Sequence, residues 1–312
     1  MVSVNVAGPV LTPLVAEYGI TSDGRTAFIE MAKASGLVLL PTEKRNPLLT
    51  TTLGTGELIR DAISRGVSQI VMGIGGSATY DGGIGMASAL GFEFLDRAGH
   101  VLRPNGENLV RLHSVRDKNV IARLNEVEFI TLCDVDNPLY GPNGAAFVYA
   151  PQKGADSEGV GRLDDGLRNF EQVILKSFGR HVNIPGAGAA GGLGAGARVF
   201  LNSKMEKGFN YVVKTVGLCN QIEDSDVVIT GEGKVDQQSL SGKVVMQVAQ
   251  MASLREKPVI VICGVNELGE SSLHATGISQ IIPLVNEKTS AAEAIDNAYN
   301  LIVERTVHEM RL

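Results

Sequence analysis

Three cysteines in 312 residues leave little scope for a disulfide framework. Cys133, Cys219 and Cys263 have no metal-ligand spacing, and an odd, sparse set fits a reducing compartment. Positive charge is also short. Lys and Arg number 28 against 34 Asp and Glu, a net charge of −6. That balance excludes the basic footprint of a nucleic-acid binder and disfavours an anionic membrane surface. No apolar run approaches the roughly 18 residues a membrane helix needs. The first ten residues have no charged n-region and read as a strand rather than a signal peptide, so the expected location is cytoplasmic. The histidines fall singly, with no HExxH pair, and there is no GxSxG elbow. Gly242-Lys243 lacks both the earlier Gly and the following Ser/Thr of a Walker A loop. Zinc-hydrolase and serine-hydrolase chemistry therefore lose their ground.

Glycine, by contrast, is abundant at 37 residues and falls in clusters, which points to backbone-lined sites. Apolar residues at 44% and charged residues at 20% describe an ordinary globular chain, long enough for two domains. Residues 2–7 alternate apolar and polar as a half-buried strand does. Two more strands follow, joined at Asp23-Gly24, a strong hairpin signal. Residues 51–66 read as an amphipathic helix ended by Gly66, "QIVMGI" as a buried strand, and 160–179 as a long amphipathic helix. After residue 224, Val/Ile-rich strands alternate with helices, the mark of a parallel sheet covered on both faces. This block shows three strands, and the expected domain boundary lies at 225/226.

Ligands of open parallel sheets bind beyond the carboxyl ends of the strands, so four loops take priority. The first, "GIGGSATYDGG" (73–83), contains Gly73-x-Gly75-x-x-Ala78, with Asp96 about twenty residues on as a ribose-binding carboxylate would be. It is either a dinucleotide loop or a tight turn in which Asp81 or Thr79 caps a helix. The second, 133–155, sets Asp134 and Asp136 at a strand end and Lys153 after another short strand. A carboxylate and a lysine there suit an anionic substrate bearing a hydroxyl, or a surface salt bridge. The third, "PGAGAAGGLGAGA" (185–197), is an anion-binding string of backbone N–H groups or a close helix contact. The fourth, 230–243, crowds Glu232, Asp236, Gln238, Ser239 and Lys243 together, which suits phosphate, magnesium or a partner domain.

These loops, in this order, resemble the bacterial type-1 glycerate kinase family. The similarity is carried by "GIGGSATYDGGIGMASALG", "CDVDNPLYGPNGAAFVYAPQKGA", "PGAGAAGGLGAGA" and "VVITGEGKVDQQSLSGKV", and by the segment from residue 26 to 59. The resemblance implies ATP- and Mg²⁺-dependent phosphorylation of D-glycerate, with the 2-phospho product favoured. It also implies two α/β domains, one inserted into a Rossmann-like parallel-sheet domain, with the active site between them. Residues 1–225 then correspond to the inserted domain and 226–312 to the carboxyl-terminal part of the split one. Family members begin about sixty to seventy residues earlier, so the first segment of the Rossmann-like domain is expected to be missing here. Tyr80 stands where relatives often carry Asn.

On this resemblance, Asp81 or Asp134 accepts the hydroxyl proton and Lys153 orients anionic groups. ATP or substrate is met by Gly75, Gly76, Ser77, Asn137, Gly186, Gly188, Gly191, Gly231, Gly233, Gln238, Ser239 and Lys243. Glu232 and Asp236 are the expected Mg²⁺ ligands. The loops cannot be divided between ATP and glycerate from sequence. An inactive truncated remnant or binding-only protein is one alternative, and an NAD-dependent oxidoreductase built on Gly73–Ala78 a lesser one.

Overall fold

A computed structural model describes residues 1–237, 239, 244–268 and 276–310. Gln238 and Lys243, two of the expected phosphate contacts, lie outside the described residues. The chain divides into two compact units, Met1–Gly208 and Phe209–Leu312.

The first unit is built on a six-stranded mixed sheet. Its strands are β1 (Val2–Ala7), β2 (Pro13–Ile20), β3 (Thr26–Glu30), β4 (Gln69–Gly73), β7 (Glu128–Leu132) and β8 (Lys204–Glu206), in the order β1-β2-β3-β4-β7-β8. The first three run antiparallel, and the expected turn at Asp23-Gly24 joins β2 to β3. Gly24 takes φ +71°, the left-handed conformation such turns need. From β3 onward all pairings are parallel. The opening strand is thus paired, to β2, at the sheet edge. A separate ribbon pairs β5 (Glu93–Leu95) with β6 (Ser114–Arg116).

The helices follow the sequence pattern closely. They are α1 (Ala32–Ser35), α2 (Leu53–Ser64), α3 (Ile84–Ala89), α4 (Ala145–Tyr149), α5 (Ser157–Phe178) and α6 (Ala189–Phe200). Asp156 caps α5 by accepting the Gly159 N–H at 2.8 Å. Its apolar stripe of Val160, Leu163, Leu167, Phe170 and Ile174 recurs at helical spacing and is buried. Phe200, at the end of α6, meets the rings of Phe92, Phe94, Phe170 and Phe178 at centroid distances of 5.1–6.2 Å. One sequence expectation changes here. Residues before Lys153 form α4 and the 3₁₀ turn Pro151–Lys153, not a strand. Ala145 and Ala146 are fully buried, and their small side chains let the segment coil against the core.

The second unit holds three parallel strands, β9 (Val228–Val235), β10 (Val259–Asn266) and β11 (Gln280–Pro283), in the order β11-β10-β9. Helices α7 (Gly208–Val216), α8 (Leu218–Glu223) and α9 (Val244–Ser253) accompany them, with Ala291–Asp296 and Ala298–Glu309 at the end. The unit boundary falls earlier than the expected 225/226. The reason is packing: Ile222 of α8 is buried with Val245, Ala249, Val259 and Val261 of the second core. Strand β9 also runs on to Val235, so Gly231, Glu232 and Gly233 belong to a strand rather than to the loop after it.

Candidate active site

Strands β4 and β7 lie side by side and parallel, and their carboxyl ends open on a cavity of about 440 Å³. This is where an open parallel sheet receives its ligand. Gly75, Gly76 and Ser77 from the loop after β4 form one wall, with Cys133, Asp134 and Val135 after β7 beside them. Gln152 and Lys153 approach from the Pro151–Lys153 turn, and Tyr149 from α4.

The loop after β4 is held from both sides. Leu37 N–H donates to Gly76 O at 2.8 Å, and Ala78 N–H donates to Ser35 O at 2.9 Å. Thr50 Oγ1 donates to Ala78 O at 2.9 Å. A side chain added at Gly75 would meet nothing within 4 Å, so this backbone is bare towards open space.

Lys153 is almost wholly buried. Its Nζ donates to Ser77 Oγ at 2.6 Å and to Thr79 O at 3.3 Å, and stands 4.5 Å from the centre of the Tyr80 ring. Among the described residues it makes no ion pair. Burial pulls its pKa down to about 7, offset in part by the charge of Asp81. Tyr80 is itself fully buried, and its hydroxyl donates to Ala145 O at 2.6 Å.

Asp81 is not in the cavity wall, which corrects its expected role as proton acceptor. It is sealed inside, and burial pushes its pKa up while its donors pull the other way. Its Oδ2 accepts Thr52 N–H at 2.7 Å, Thr52 Oγ1–H at 2.9 Å and Gly85 N–H at 3.1 Å, and Oδ1 accepts Gly83 N–H at 3.0 Å. The carboxylate thus ties the starts of α2 and α3 together, where helix dipoles favour negative charge. Thr52 Oγ1 in turn accepts Met86 N–H at 2.8 Å.

The glycines of residues 185–197 also serve packing. Gly188 and Gly191 leave no space for a side chain: a Cβ would run into Pro138 O and Thr79 O respectively. Gly191 also takes φ +66°, within a kinked start to α6. Gly186 lies close to Val135 O in ordinary contact. None of the three lines the cavity, although Ala189 and Ala190 do. Asn137 is likewise occupied within the protein. Its Nδ2 donates to Asn143 O at 2.9 Å and its Oδ1 accepts the Tyr149 hydroxyl at 2.6 Å. It therefore positions Tyr149 rather than facing the cavity.

Asp134 does line the cavity, and its Oδ1 accepts the Gly208 N–H at 2.8 Å. Asp136 pairs instead with Lys207 Nζ at 2.7 Å, on the surface. Asp96 turns out to organise its own turn, accepting Ala98 and His100 N–H groups and pairing with Arg111. It is unavailable as a ribose ligand. The residues that sequence reasoning passed over are Leu37, Tyr149 and Gln152 in the wall, and Thr50, Thr51 and Thr52 behind it. The run of three threonines at a helix start was the available signal.

In the second unit, Gly231, Glu232 and Gly233 line a cavity of about 820 Å³ that is otherwise largely apolar. Ser239 Oγ lies 3.4 Å from Glu232 Oε1 and 3.3 Å from Asp236 Oδ1, so the two carboxylates converge on one hydroxyl. Among the described residues no group of three or more metal-ligating side chains gathers anywhere. Two carboxylates still fit Mg²⁺, which is bound by one or two of them together with water and phosphate oxygens.

Parallel strands ending in glycine-rich turns, with a cavity at their carboxyl ends, define an α/β protein whose cavity lies where open parallel sheets receive small-molecule ligands. The Glycerate kinase family pattern matches residues 1–312, and the chain belongs to that family. It is 45% identical over 300 residues to a glycerate kinase of Halalkalibacterium halodurans, covering 96% of this chain and 79% of that protein. It is 43% identical over 300 residues to the glycerate 2-kinase of Escherichia coli, covering 95% and 78%. A crystal structure of a protein provisionally assigned as glycerate kinase 2 from Salmonella typhimurium LT2 superposes with a TM-score of 0.84 at 40% identity, covering 98% of this chain and 81% of that one. The chain is a kinase of this family, and the oxidoreductase alternative falls. The matches run over nearly all of this chain and over about four fifths of each of these relatives. No helix among the described residues is long and apolar enough to cross a membrane.

Proposed function

We propose that the chain transfers the γ-phosphoryl group of ATP to a hydroxyl of D-glycerate, with 2-phosphoglycerate the favoured product. The observation that carries this reading is the cavity at the ends of β4 and β7. There a buried lysine, a serine hydroxyl and bare glycine backbone share one space with Asp134. In the reaction the bond between the γ-phosphorus and its bridging oxygen breaks, and a bond from the glycerate oxygen to phosphorus forms. ADP leaves with the bridging oxygen, and the hydroxyl proton passes to a carboxylate. Asp134 is the carboxylate assigned to it, and Asp81 is given the task of fixing the loop.

Phosphoryl transfer asks mainly for alignment and charge neutralisation. Gly231, Gly233 and Ser239 are read as nucleotide contacts, and unit 2 as the Rossmann-like part of the protein. Glu232 and Asp236 would hold Mg²⁺, which when bound offsets charge on the phosphates. The test is formation of ADP from ATP by the purified chain, with and without D-glycerate. Phosphorus NMR of the product assigns the hydroxyl.

A further inference from the structure

Among the described residues, the cavity at the ends of β4 and β7 is lined by one cation and one carboxylate, Lys153 and Asp134. Its remaining walls are glycine backbone, the small residues of α6, the neutral polar side chains of Ser77, Tyr149 and Gln152, and apolar side chains including Leu37, Ile74 and Leu132. A nucleoside triphosphate carries several negative charges, which kinases meet with metal ions, lysines and rows of backbone amides. A single lysine, with a carboxylate opposite it and otherwise neutral walls, does not match that load. It does match one carboxylate.

Lys153 itself points the same way. Both of its hydrogen-bond acceptors, Ser77 Oγ and Thr79 O, are neutral. Among the described residues the one charge that acts on it, Asp81, has its oxygens taken by Thr52, Gly83 and Gly85. An ammonium buried without a counter-charge is costly, and a monoanion arriving beside it removes that cost. Ser77 stands between the lysine and the loop backbone, with a hydroxyl able to donate to the same anion. Asp134 on the other strand end accepts a hydroxyl proton.

We propose that this cavity is the site of the acceptor and not of the nucleotide: it takes a small monoanionic hydroxy acid, its carboxylate on Lys153 Nζ and Ser77 Oγ and its hydroxyl towards Asp134. The proposal rests on the phosphoryl-transfer reading above and divides its two substrates. The low pKa of Lys153 adds a consequence, since acid binding at neutral pH and above then takes up a proton.

The experiment is calorimetric titration of the intact chain with D-glycerate alone and with ADP alone. It compares the wild type with Lys153→Met and Ser77→Ala, each checked for native circular dichroism. The expected result is a Kd for D-glycerate raised by about tenfold or more in Lys153→Met and less in Ser77→Ala. The ADP Kd stays within about twofold. The neutral amide of glycerate serves as a second probe: wild type prefers the acid, and Lys153→Met loses the preference. Weakened ADP binding with glycerate binding intact overturns the proposal and puts the nucleotide here. Should Lys153→Met not fold, Ser77→Ala and the wild-type preference for acid over amide decide alone. Failure of the kinase reading looks different: the wild type binds glycerate as described yet forms no ADP from ATP in its presence.

Discussion

Lys153 Nζ and Ser77 Oγ, 76 residues apart in the chain, lie 2.6 Å from one another at the mouth of the β4–β7 cavity. The pair joins the Pro151–Lys153 turn to the loop after β4. Lys153 is buried between two neutral acceptors with no charge partner in contact among the described residues, an arrangement that costs the fold stability.

Replacing Lys153 by Met should therefore stabilise the free protein while weakening it as an enzyme. The folded pKa of about 7 lies below the ordinary lysine value of 10.5. The unfolded chain then binds more protons than the folded one between these limits, so wild-type stability rises with pH across that window. The gain from Lys153→Met is largest below pH 7 and shrinks towards pH 10. Thermal melts of both proteins at pH 6 and pH 9 check this, and an equal gain at both would refute it.

The same titration governs substrate affinity. If the ammonium receives the acid's carboxylate, KM for D-glycerate climbs by up to about tenfold per pH unit above pH 7. KM for ATP follows a different, flatter course. Initial rates from pH 6 to pH 9 with each substrate varied separately measure both.

Asp81 should prove a stability residue. Removing its carboxylate in Asp81→Ala leaves the N–H groups of Thr52, Gly83 and Gly85 buried without their acceptor. The loss is about 3–5 kcal/mol, read as a lower urea midpoint. Any surviving folded protein should keep a near-normal KM for ATP.

Two glycines should behave oppositely. Gly191→Ala must place a Cβ against Thr79 O at φ +66° and costs more than about 2 kcal/mol. Gly75→Ala points into open space and changes stability by less than about 0.5 kcal/mol, while raising KM for the acid. Denaturation curves set beside kinetics separate the two outcomes.

Much of the framework was legible in the sequence for identifiable reasons. "QIVMG" and "EFITL" are short runs with β-branched residues, too short for a helix of ordinary length, which favours buried strands, and Asp23-Gly24 supplies the hairpin turn. Gly75, Ser77 and Asp134 reach the cavity from loops that follow strands, as the sequence pattern suggests, whereas Lys153 reaches it from the 3₁₀ turn after α4. The misassignments share a cause in distance or size. Asp81 is explained by Thr52, 29 residues away, and nothing local distinguishes such a carboxylate from a catalytic one. Bare glycines look alike in sequence whether they face a ligand, as at Gly75, or a neighbouring carbonyl, as at Gly191. The α4 segment is too short to show a period, and Phe147, Val148 and Tyr149 favour a strand by composition.

The central claim is most directly tested by incubating the purified chain with ATP, Mg²⁺ and D-glycerate and following ADP together with the phosphorus spectrum. The account predicts ADP formation that depends on D-glycerate, is abolished by EDTA, and is matched mole for mole by phosphoglycerate. A folded protein that releases no ADP above background, or releases it equally without D-glycerate, would contradict it.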